Sequence, residues 1–126
     1  MSDEISSTLR VPVFDGDEKN FQSWKIRFNA YARVKAFNMA LKANSDLPDN
    51  EEAIETLDAT TSDGKKKIAA GKKNMLAMAH ITMALGTETL LNKVNAVCDD
   101  DWPGGLAHKL MDLLNEEYQL EDRAAD

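Results

Sequence analysis

Apolar residues in the first third of the chain recur at helical rather than strand spacing. Phe21, Trp24, Phe28 and Tyr31 follow at intervals of three, four and three, which is one stripe of a 3.6-residue helix. A second apolar line, Ile26, Ala30, Val34 and then Phe37, runs at four-residue spacing on roughly the opposite side. A helix apolar on two sides has to be covered on two sides, by its own domain or by another copy. The turn residues Asp15-Gly16 precede it, and the pattern predicts a helix over 18–34 with a short continuation at 36–43 carrying Phe37, Met39, Ala40 and Leu41. Pro12 disfavours helix at Val11, so Val11-Pro12-Val13-Phe14 reads as an extended strap across the bundle. Residues 1–10 are polar and expected to be loose, which makes 1–13 a flexible or extended segment ahead of a helical domain at 14–120.

The remaining pattern is helical as well. Asn44 to Asp49 is a turn cluster around Pro48, and 50–60 is acidic and weakly helical with Ala53, Ile54 and Leu57 on one side. Thr60-Thr61-Ser62-Asp63-Gly64 breaks the pattern and offers an N-cap at Ser62 or Asp63. The longest helix is expected over 65–85, with Ile68, Met75, Leu76, Ala79 and Met83 as its stripe. Gly86 is a natural stop, and Thr87 a natural N-cap for a helix at 88–97 through Leu90, Leu91, Val94 and Val97. Trp102-Pro103 is expected to start the last helix, since proline suits a first turn, with Leu106, Leu110, Leu113, Leu114 and Tyr118 on its core side. No strand pattern and no internal repeat emerges. The fold class is all-α, a compact bundle of five or six helices, followed by an acidic tail at 121–126.

Composition narrows the function classes. The chain has 126 residues, enough for one core and not for two, and its glycines (6) and prolines (3) are too few for a turn-rich β-fold. Acidic residues outnumber basic ones 22 to 15, a net charge of -7, which disfavours binding to nucleic acid or to an anionic membrane. The single Cys98 excludes an internal disulfide and suits a reducing compartment. Met-Ser-Asp-Glu carries neither a basic nor an apolar region, so no secretory signal is expected, and no apolar run approaches the ~20 residues of a membrane span. These features predict a soluble intracellular protein that oligomerises and has no membrane partners.

Candidate chemistry is sparse. His80 and His108 stand singly and combine with Cys98 at no zinc spacing, so they read as structural or solvent-exposed. Asp99, Asp100 and Asp101 lack the alternating ligands and glycine of a calcium loop, and Asp101 suits the N-terminus of the following helix. Gly104-Gly105 reads as a close helix approach rather than a phosphate loop. Lys65, Lys66, Lys67, Lys72 and Lys73 have no interleaved aromatics for single-stranded RNA; a solvated face paired with Glu51, Glu52, Glu55 and Asp58 is the expectation. Met75, Met78 and Met83 suit an adaptable peptide groove or, more commonly, core filling. No nucleophile and base pair up, no cofactor is implied, and an enzyme is not expected.

The segment Phe14-Asp15-Gly16, followed by Asn20-Phe21-Gln22-Ser23-Trp24-Lys25-Ile26-Arg27-Phe28, resembles the opening of the Gag polyprotein of copia-type LTR retrotransposons. In that family an aromatic-(Asp)-Gly-x-Asn-(Phe/Tyr)-x-x-Trp signature begins the first capsid helix. An Ala/Met-rich helix at Ala77 to Leu85, then Leu90-Leu91, then Leu114-Asn115-Glu116-Glu117-Tyr118 agree in order and spacing, so the resemblance spans about 11–120. Two departures stand out. The family's Ala-Trp pair at the start of the last helix is replaced by Asp101-Trp102-Pro103-Gly104-Gly105, and the Cys/His zinc knuckle that in many Gag proteins contacts RNA is missing.

The resemblance implies the N-terminal lobe of a retroelement capsid: a non-enzymatic structural domain that self-associates into virus-like particles around element RNA in the cytoplasm. Its partners would be further copies and other Gag segments, with RNA held by regions outside this chain. Core residues are then Phe14, Phe21, Trp24, Phe28, Tyr31, Leu110, Leu114 and Tyr118, and candidate contacts between copies are Ile26, Arg27, Ala30 and Arg33. The alternative is a domesticated capsid-like lobe acting as a monomeric peptide- or protein-binding module.

Overall fold

Before the first helix the chain makes a tight polar turn. Gly16 sits at φ +86°, and Asp15 folds its carboxylate over the turn, accepting from the Asp17 amide (2.9 Å) and from the Asn20 side chain (2.8 Å). These donors hold the Asp15 carboxyl below its ordinary value. Asp17 then caps the helix, its side chain accepting from the Lys19 amide. The computed structural model describes residues 9–118, so the expected loose segment 1–13 lies partly, and the acidic tail 121–126 wholly, outside them. Those residues are all-α: α1 (Glu18–Val34), a 3₁₀ turn (Asn38–Leu41), α2 (Ala53–Thr56), α3 (Ser62–Ala84), α4 (Glu88–Ala96) and α5 (Ala107–Tyr118). None of these helices is long and apolar enough to cross a membrane.

Phe21, Trp24, Phe28 and Tyr31 all turn inward from α1 and are buried. They meet Phe14, Leu110, Leu114 and Tyr118, also buried, in the main core, which Ala77, Met78 and Ile81 of α3 and Leu90 of α4 complete. The strap is real. Phe14 donates its amide to the Ala84 carbonyl (2.8 Å) and accepts at its own carbonyl from the Gly86 amide (3.0 Å). Its ring lies 5.4 Å from Phe21 and from Trp24 and 5.0 Å from Tyr118. Trp24 donates Nε1 to the Pro12 carbonyl at 2.9 Å, so its burial leaves no polar atom unpaired.

Several expectations need correcting. The second apolar line of α1 does not include Phe37. The helix stops at Val34 because Ala36 adopts φ 64°, with the Phe37 amide donating to Ala32 O (2.9 Å) and the Ala36 amide to Arg33 O (3.2 Å), the paired bonds of a Schellman stop. That reversal drives Phe37 back onto Phe28, ring centroids 5.8 Å apart. Instead of a continuation over 36–43 there is only the 3₁₀ turn.

The expected stripe of the long helix is also displaced. Met75, Leu76 and Met83 are 49%, 38% and 70% exposed, Ala79 is exposed and Ile68 half-buried. The buried face of α3 carries Ala70, Gly71, Asn74, Ala77, Met78, Ile81 and Ala84. Small residues face inward because neighbours come close: a Cβ on Gly71 would stand 2.5 Å from the Ile54 side chain. The N-cap of α3 is Thr61, accepting from the Gly64 amide, rather than Ser62 or Asp63.

The last helix does not start at Trp102-Pro103. Those residues form a turn in which the Trp102 amide donates to Asp99 Oδ1 (2.7 Å) and the Gly105 amide to Trp102 O (2.8 Å). Gly105, at φ +85°, cannot belong to a helix, and Trp102 is buried with Ile54 and Leu106 in a second, smaller cluster. What starts α5 is a side chain from another helix. Asn74, 2% exposed, accepts from the Ala107 amide (2.7 Å) and donates to the Gly105 carbonyl (2.9 Å). Asp101, no longer next to a helix, gives its carbonyl to the Glu51 amide (2.8 Å).

Finally, the lysine run is not paired with the acidic segment before it. Among the described residues its ion pair is Lys67–Asp63 (3.6 Å), one turn apart on α3, and none joins it to Glu51, Glu52, Glu55 or Asp58. Those lysines point away from the core on a solvated face.

Two stability outcomes follow. Trp24→Ala should lose about 3–5 kcal/mol in urea denaturation, enough to unfold a marginal domain; an unchanged midpoint would show that the indole carries no core packing. Ala36→Gly should gain about 0.5–1 kcal/mol by relieving the left-handed conformation at the stop of α1, read as a raised urea midpoint at constant m.

Candidate functional site

The outer side of α1 is a surface with its own chemistry. Lys19, Ile26 and Arg33 are two turns apart, and Ile26, Ala30 and Val34 fall one turn apart beside them. Ile26 is 61% and Val34 44% exposed, and Arg27, Ala30 and Arg33 are exposed as well. The four contact residues suggested by the sequence are thus brought together on one open strip, an apolar line edged by cations. Nothing in the described chain covers it.

A second open feature lies on the other side of the sequence. A groove of about 850 Å³ runs between the 50–55 segment, α3 and the loop at 100–103. Its rim carries Glu51, Glu52, Glu55, Asp100 and Asp101, with Lys72 among them, and Ile54, Met75 and Pro103 supply apolar lining. Its walls are tied together by two hydrogen bonds at Glu51: its side-chain Oε1 accepts from the Gly104 amide (3.0 Å), and its own amide donates to Asp101 O. The acids do not converge on a point, and among the described residues no cluster of histidine, cysteine or carboxylate groups is arranged to hold a metal ion. Neither this groove nor Asn74 stood out in the sequence. The groove joins residues some fifty positions apart, and a lone asparagine between Lys73 and Met75 reads as surface.

His80 is not a free surface group. It is half-buried, stacked on Phe37 with ring centroids 4.9 Å apart, and its Nδ1 lies 2.8 Å from the Tyr31 hydroxyl. Burial, with the Lys35 charge adding to it, pushes the His80 pKa below its ordinary 6.5, and burial raises that of Tyr31. Near neutral pH His80 is therefore an uncharged ring accepting or donating one hydrogen bond inside an aromatic stack. Cys98 is half-buried with Sγ 3.1 Å from the Val94 carbonyl, and the Asp99 side chain is spent on the Trp102 turn. The structure brings neither of them near His80 or His108 as a set.

No family model matches the chain, and neither curated proteins nor solved structures gave a match.

Because the unfolded chain protonates His80 more readily than the folded one, stability is complete above pH ~6.5 and falls as the pH is lowered through that value toward the depressed folded pKa. The melting temperature should drop over that window, and the drop should be shallower in His80→Gln. Identical pH profiles for the two proteins would show that the folded state tolerates the charged ring.

Proposed function

We propose that this chain is a structural, Gag-like capsid domain that works by associating with copies of itself. The observation that carries the reading is the division of α1 into two apolar sides. Its aromatic side is consumed by the core, while Ile26, Ala30 and Val34 remain outside it. An isolated surface leucine or valine is ordinary, but three apolar residues in register on one helix, edged by Arg27 and Arg33, make a contact surface.

The resemblance to copia-type Gag supports the same reading. Each part of the signature has a structural job here: Phe14 docks the strap, Gly16 turns the chain, Asn20 holds Asp15, and Phe21 and Trp24 anchor α1. In this reading the domain builds a virus-like particle in the cytoplasm, and RNA is captured by other parts of a longer Gag polyprotein. The acidic balance of the chain fits that division. Each contact can be weak, because many copies acting together raise the effective local concentration.

A second reading is favoured by the groove beside α3. With Met75 in its lining and acids on its rim, it would let a monomeric, domesticated lobe hold a basic peptide.

The readings separate in sedimentation. Wild-type protein should show a weight-average mass that climbs with concentration, and Ile26→Asp should shift that curve toward monomer without changing the melting temperature. A strictly monomeric wild type would leave the peptide-binding module as the better description.

A further inference from the structure

We propose that the contact between copies is head-to-tail: the outer strip of α1 on one copy seats in the acidic groove and along the outer side of α3 on the next. The inference rests on the self-association reading and names its two surfaces. Several observations meet here. First, the surfaces match in length. Ile26 to Val34 on α1 and Met75 to Met83 on α3 each cover eight helical steps, about 12 Å of rise. Both strips are exposed apolar lines, with Ala30 between Ile26 and Val34 and Ala79 between Met75 and Met83. One helix face can lie along the other with a small residue near the centre of each, which lets the axes approach.

Second, the charges are opposite where they would meet. Lys19, Arg27 and Arg33 edge the α1 strip, all exposed and none in an ion pair among the described residues. Glu52, Glu55, Asp100 and Asp101 on the groove rim are likewise exposed and outnumber the one cation there, Lys72. In a protein of net charge -7, two copies repel on average, so a local basic strip facing a local acidic groove sets which orientation survives. A symmetric pairing of two α1 strips would instead bring like charges together.

Third, the two surfaces are different patches of one chain. An open assembly of any length keeps one strip free at one end and one groove free at the other, so the contact propagates, closing into a ring or continuing as a filament according to the rotation between copies. A strip this short falls well below the ~800 Å² per partner of a standard stable interface, so one contact is weak and the assembly depends on repetition.

The test is charge reversal on the full 126-residue chain, read by sedimentation up to about 1 mM. Arg27→Glu with Arg33→Glu should weaken association about tenfold or more, and so should Glu52→Lys with Glu55→Lys. The protein carrying all four changes should associate nearly as well as wild type, and added salt should weaken the wild type. All four positions are exposed, so unchanged circular dichroism and melting temperature separate a lost contact from a lost fold. If wild type associates but salt and both reversals leave it unaltered, or the fourfold variant is not rescued, the head-to-tail pairing is wrong while self-association stands. If wild type stays monomeric throughout, both fall.

Discussion

The position of Phe14 is the constraint on which the rest depends. One residue joins three parts of the chain that are far apart in sequence. Its backbone is paired with the end of α3 on both sides, and its ring touches α1 at Phe21 and Trp24 and α5 at Tyr118. The two hydrogen bonds fix the strap at a set height on the bundle, and the ring then fixes how far α1 and α5 stand from it. Trp24 reinforces the arrangement by donating to Pro12 just ahead. Because interiors are packed to crystal-like density, a ring held on three sides cannot shift without moving all three elements.

The sequence was most readable where large residues do the packing. The limits of α1, its aromatic stripe, the caps at Thr87 and the strap all follow from residue type and spacing, and the structure has them there. It misled where small or polar residues face inward. On α3 Met75, Leu76 and Met83 advertise a core face, yet Met78, Ile81, the alanines, Gly71 and Asn74 take it, and at Gly71 the closeness of Ile54 leaves no room for a Cβ. The start of α5 was hidden for a related reason. Its first amide is satisfied by Asn74, thirty-three residues upstream, and no local capping pattern can announce a partner of that kind. Ala36 is the opposite case: a residue that normally avoids the left-handed region occupies it because the Schellman bonds and the burial of Phe37 outweigh the local strain. The α1 strip could be read from the sequence, whereas the groove could not, because tertiary folding alone assembles it.

Electrostatics and packing are segregated in this molecule. Its charges sit on the outside, sorted so that α1 is edged with cations and the groove with acids. Its interior is aromatic and aliphatic; Asn74 and the Tyr31–His80 pair are matched internally, whereas among the described residues the buried Asn115 Oδ1 has no hydrogen-bond partner. Such a division lets the surface charges change without disturbing the core, since exposed charges contribute little to stability.

The two tryptophans occupy separate compartments. Trp24 belongs to the main core, and Trp102 to the small cluster with Ile54 and Leu106, which shares Ile54 with the groove lining. That cluster rests on a four-residue helix and a turn, the kind of region that opens locally at lower free energy than a core of long helices. The molecule therefore carries two built-in optical probes with different neighbourhoods. With either indole replaced by phenylalanine, the emission of the other reports on one compartment alone, so that loosening of the groove wall and dissolution of the aromatic core become separately visible events.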